Sequence, residues 1–150
     1  MKFGDVVVAT GSFIVIAMLL DTVFVAVFIP TISHAGFDVA SILSTLVASL
    51  IVGYLFAVKI QEESRWRAIG SIVVLFTTVL ILVLVGLLAD PLVSPAIKDA
   101  IASLFSTSGW TDYNWAIAVF ETVAINVVYA LVFGFIGLYA GSMLRKPKKA

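Results

Sequence analysis

The chain has 150 residues, enough for one domain, and 62% are hydrophobic against roughly 45–50% in soluble globular proteins. With a mean hydropathy of +1.18 and nine basic residues balancing nine acidic ones, it reads as an integral membrane protein with no basic stripe for nucleic acid. The absence of cysteine removes disulfides, thiolate metal sites and iron–sulfur clusters, and the single histidine, His34, falls in a predicted loop, so no metal or other cofactor is expected.

Crossing about 30 Å of hydrocarbon takes around 20 helical residues at about 1.5 Å each. The first predicted span runs from about Val6 to Ile29 and is closed by Pro30, with one acid, Asp21, inside its apolar run. Ser33-His34-Ala35 has the small-residue spacing of a signal-peptide cleavage site. The apolar run, however, exceeds the roughly 7–15 residues of a signal core, and Asp21 interrupts it, so a retained span is expected. The second span runs from about Val39 to Val58. Ser41, Thr45, Ser49, Gly53 and Ala57 recur along it at every fourth residue, with Ser44 and Ala48 alongside, forming a stripe that lets another helix approach closely.

The third span, from about Ala68 to Ala89 before Asp90-Pro91, is bulky nearly throughout and is expected to show much of its surface to lipid. In the loop after it, Ser94 suits an N-cap and Pro95 a first helical position, and apolar residues recur at helical spacing. A short amphipathic interfacial helix is therefore predicted over about 95–105, serving either as an anchor or as a lid. Trp110, Tyr113 and Trp115 supply rings suited to the headgroup level. The fourth span, from about Trp115 to Leu144, carries Ala130-x-x-x-Gly134 and Gly137-x-x-x-Gly141, a second close-approach surface. The expected fold is thus an all-α domain of four transmembrane helices.

Positively charged loops are retained on the cytoplasmic side. Lys2, Lys59, Arg65, Arg67, Arg145, Lys146, Lys148 and Lys149 fall on one side of this arrangement, and only Lys98 falls on the other. Both termini are therefore expected in the cytoplasm, with the chain integral to the cell membrane.

An aspartate at the bilayer centre costs roughly 2.5–3.5 kcal/mol on insertion scales unless it is paired, protonated or wetted. Counted at helical rise, Asp21 lies about 13 Å below the outer end of its span, Glu121 about 9 Å deep and Asn126 about 16 Å deep. Thr122, Asn126, Tyr129 and Phe133 share one face of the fourth helix, whereas Glu121 points about 140° away from Asn126 and can snorkel to the headgroups. The expected partner of Asp21 is thus Asn126, assisted by Thr122 or Tyr129. Thr10 and Ala17 fall on the same stripe of the first helix as Asp21.

Such a cluster is either structural glue or a site, and three functions fit it differently. The leading expectation is a small accessory or assembly subunit of a larger membrane complex. It would meet other membrane subunits through Asp21 or Glu121 and through any small-residue stripe left free, although the stripes are expected first to be consumed within one chain's four-helix bundle. The alternative is a homo-oligomeric, proton- or cation-coupled channel or transporter that uses Asp21. An enzyme is not expected, because no second well-directed acid, histidine or metal cluster accompanies Asp21.

Overall fold

The computed structural model describes residues 1–28, 33–62, 64–89, 95 and 112–145, and every regular element among them is a helix. The helices are α1 (Phe3–Phe28), α2 (Ser33–Leu55), α3 (Ala57–Gln61), α4 (Arg65–Ala89) and α5 (Asp112–Leu144). An all-helical answer follows from the solvent: a chain this apolar must pair its backbone groups internally, and a helix does so within one segment. Within these helices, Phe3–Phe24, Arg65–Val83 and Ala124–Leu144 are long and apolar enough to cross a membrane, and Val39–Leu55 is a shorter apolar stretch. Three to four helices could therefore span a bilayer. Apart from Pro95, the interfacial helix expected over about 95–105 lies outside the described residues, as do Lys98 and Trp110.

Several boundaries differ from the expected ones, and each difference has a local cause. The second helix stops at Leu55, because Phe56, at φ −96° and ψ 9°, leaves the helical region, and the chain restarts as α3. Ala57, the last member of the predicted stripe, therefore sits on α3. The expected loop from Lys59 to Arg67 is largely helical, since α3 runs to Gln61 and α4 begins at Arg65. Ile60 explains this: it is fully buried, so the segment is held down as a packed turn. His34, expected in a loop, lies in the first turn of α2.

The long helices pack as a ring. α2 lies against α1 and α5, and α4 closes the other side against the same two helices, so α2 and α4 stand diagonally opposed. The most extensive contact joins α2 to α5, and glycine makes it possible. A Cβ on Gly53 would strike the backbone of Leu138, one on Gly137 would strike Ser49 and the backbone of Leu46, and one on Gly141 would strike the backbone of Leu50. Across this seam the Ser49 hydroxyl donates to the Phe133 carbonyl at 3.2 Å and to its own helix at Leu46 at 2.9 Å. Ser49, Gly53, Gly137 and Gly141, members of the two predicted stripes, thus meet within the chain and join α2 to α5.

One end of the bundle is tied by polar contacts. Lys59 pairs with Asp5, the Lys2 backbone N–H donates to the same carboxylate at 3.2 Å, and Gln61 Nε2 donates to the Ser142 and Arg145 carbonyls at 2.6 and 3.1 Å. These bonds satisfy carbonyls that the C-terminus of α5 would otherwise leave unpaired. Arg145 also lies over the Tyr54 ring, 5.8 Å from its centroid. The start of α1, the α2–α4 junction and the end of α5 therefore share one basic end.

The core above that end is largely apolar, built from Val6, Ala9, Ala48, Val52, Ile69, Ile72, Val73 and Leu138. α4 is two-faced: Val74, Leu82, Val83 and Val85 are exposed while Ile69, Ile72 and Phe76 are buried, so its bulk serves the core as well as the outer surface. Exposed hydroxyls on the outer faces bond to their own helices, Thr22 to the Met18 carbonyl and Thr78 to that of Val74, which keeps them compatible with lipid.

The glycines separate into two groups that substitution should distinguish. Gly53→Ala, Gly137→Ala and Gly141→Ala are each expected to lower stability by about 1–3 kcal/mol through overpacking. Gly11→Ala, at a position where a Cβ meets nothing within 4 Å, should be neutral or mildly stabilising. Thermal unfolding in detergent, followed by helical circular dichroism, measures the contrast.

Candidate functional site

Toward the end of the bundle opposite Asp5 and Lys59, the four long helices part around a cleft of about 300 Å³. α1 supplies Ile14, Ala17, Met18 and Asp21; α2 supplies Ser41, Ser44 and Thr45; α5 supplies Asn126, Tyr129 and Ala130. From α4 come only apolar groups, Phe76, Val79, Leu80 and Val83. One wall of the cleft is therefore polar and carries the carboxylate, while the facing wall is hydrocarbon.

Asp21 reaches this position because α1 and α2 form an antiparallel pair joined by a short connection. The same antiparallel register that sets Asp5 against Lys59, at the start of the α3 segment, sets Asp21 against Ser44. Ser44 Oγ donates to Asp21 Oδ1 at 3.2 Å and also contacts the Ser41 carbonyl at 3.1 Å. Among the described residues, Ser44 is the hydrogen-bond partner the structure gives Asp21, whereas the sequence pointed to Asn126. Asn126 and Tyr129 do join Asp21 as lining groups of the same cleft. Tyr129 meets Phe133 edge-on at 6.0 Å.

Thr122 and Glu121 lie in α5, and their side chains fall outside the described residues. Ser41 and Thr45, read from sequence as helix-packing residues, line the cleft; so does Ala130. Gly134 meets α1, not α2, because a Cβ there would lie 3.4 Å from the Phe13 ring.

Toward the basic end the cleft is closed by an aromatic floor. Phe13 and Phe76 stack with centroids 4.1 Å apart and planes 17° from parallel, and Phe13 is completely buried. Thr10, one helical turn below Ile14 and two below Ala17, is 2% exposed, and Thr77 is 8% exposed; among the described residues neither hydroxyl has a hydrogen-bond partner. The arrangement places a carboxylate, three hydroxyl-bearing side chains of α2, an amide and a phenol around one space beside an apolar wall. It can hold a positive charge at the carboxylate and exclude water from the opposite side.

The chain was compared with protein-family models, with curated proteins and with solved structures, and nothing matches it in any of the three. Function is therefore argued from the cleft.

Two substitutions separate the cleft's polar contact from its floor. Ser44→Ala is expected to cost only about 0.6 kcal/mol, the usual size of one interhelical hydrogen bond in lipid. Phe13→Ala should cost about 3–5 kcal/mol, because it opens a cavity beneath a stacked ring. Equilibrium unfolding in mixed micelles gives both values.

Proposed function

We propose that this protein is a small cation- or proton-binding membrane carrier or channel in which Asp21 is the charge-binding group. The observation that carries this reading is the placement of the half-buried Asp21 in a cleft lined by all four long helices, with Ser44, Asn126 and Tyr129 also lining it. An intramembrane carboxylate facing a bundle interior is a common mark of an ion or proton route. The accessory-subunit reading drew on stripes left free for a partner. The use of Ser49, Gly53, Gly137 and Gly141 between α2 and α5 moves support toward a function held within the bundle.

In the proposed topology α1, α2, α4 and α5 each cross the cell membrane, both termini face the cytoplasm, and the segment around 95–105 lies on the outer surface. The clustering of Lys2, Lys59, Arg65, Arg67 and Arg145 at one end of the bundle supports this orientation through the retention of positive charge inside. The cleft then lies in the outer half of the bilayer. Ions would enter from outside, exchange at Asp21 and meet the Phe13–Phe76 stack on the way inward.

Because the sequence has no cysteine, single cysteines report topology without background. Cysteines placed at Ser64 and Ser108 in intact cells are expected to show opposite labelling by a membrane-impermeant maleimide, Ser108 reacting and Ser64 protected. Equal labelling would overturn the orientation. In liposomes, Asp21→Asn should abolish proton or cation flux with the helix content retained, and unchanged flux would remove Asp21 from the mechanism.

A further inference from the structure

The two walls of the cleft differ in chemistry, and the difference bears on what kind of cation fits. A metal ion stripped of water needs a shell of oxygen ligands on most sides. Here the oxygens lie along α1, α2 and α5, while α4 offers Phe76, Val79, Leu80 and Val83, none of which replaces a hydration shell. Ile14 and Met18 extend the hydrocarbon lining on α1. The volume of about 300 Å³ also exceeds what a bare ion fills, and lies at the lower edge of the sizes that hold small organic ligands.

We infer that the occupant of the cleft is a monovalent organic cation with an apolar body, of the substituted-ammonium class, bound with its charge at Asp21 and its hydrocarbon against α4. This rests on the reading of Asp21 as the charge-binding group and names its ligand. Ser44 gives Oδ1 a single hydroxyl, so a ligand that displaces water from the half-buried carboxylate must itself complement it, and a cation does so. The ring of Tyr129, and that of Phe76 at the floor, give the cationic centre aromatic surface, which attracts alkylated ammonium groups most strongly where water is excluded. Ser41, Thr45 and Asn126 accept any N–H groups that the ligand carries. Protons compete for the same carboxylate, so ligand binding and protonation exclude one another.

The test is calorimetric titration of the purified full-length protein in detergent with tetrabutylammonium and, separately, with sodium. Subtracting the Asp21→Asn signal removes partition into micelles. The wild type should bind tetrabutylammonium, more weakly as pH falls, and Asp21→Asn should bind at least about tenfold more weakly. Leu80→Ala, which removes apolar wall and keeps the carboxylate, should weaken tetrabutylammonium about tenfold while the loss of binding at low pH is retained. Equal binding by wild type and Asp21→Asn, or binding of sodium in preference to the ammonium ion, overturns the inference. If liposome flux depends on Asp21 while tetrabutylammonium does not bind, the inference falls and the carrier reading stands. If tetrabutylammonium binds at Asp21 while flux ignores that residue, the ligand assignment stands and transport falls.

Discussion

The constraint on which the rest of the bundle depends is the contact between α2 and α5. In hydrocarbon, helices gain nothing by hiding apolar surface from one another, so they associate only where backbones come close enough for dispersion and short polar contacts to act. Gly53, Gly137 and Gly141 permit that approach, and Ser49 adds a hydrogen bond across it. With this seam fixed, α1 docks on α2, and α4 fills the remaining side through bulky residues that need no close approach. The cleft lies on the other side of this seam from the basic end, lined by all four long helices.

Much of this architecture was legible in the sequence, because lipid makes the rules severe. Apolar run length sets helix length, and the four-residue recurrence of small side chains on α2 and α5 marks their seam. What was less legible was the detail that tertiary packing decides. The break at Phe56 and the burial of Ile60 turn an expected loop into α3, and no composition signal announces them, since Ala57, Lys59 and Gln61 are equally at home in a loop or a helix turn.

The site was legible in part. Asp21 stands out by the cost of a carboxylate in lipid, and Asn126 and Tyr129, which share a face of α5 in the sequence reading, line the same cleft. The contact with Ser44 was missed because depth and face were reckoned between the first and fourth helices, while the nearest surface belonged to the helix next in sequence. The Asp21–Ser44 and Asp5–Lys59 contacts share one antiparallel register, but Asp21 lies seven residues before the end of α1 and Ser44 eleven after the start of α2, so equal distance from the turn does not pick it out. Ser41 and Thr45 were ambiguous for a physical reason: a small hydroxyl residue suits both close packing and the lining of a polar space.

The division of labour between the walls has a mechanical side. The carboxylate and its polar neighbours belong to α1, α2 and α5, two of which are locked by glycine contacts, whereas α4 touches the cleft with interchangeable hydrocarbon and makes no comparable contact with α2. A rocking of α4 would change the size of the chamber and slide one ring of its floor past the other without breaking a single polar bond around Asp21. The bundle is thus tied by glycine contacts on the side of the cleft that carries the carboxylate, and by side-chain packing alone on the side that sets its volume.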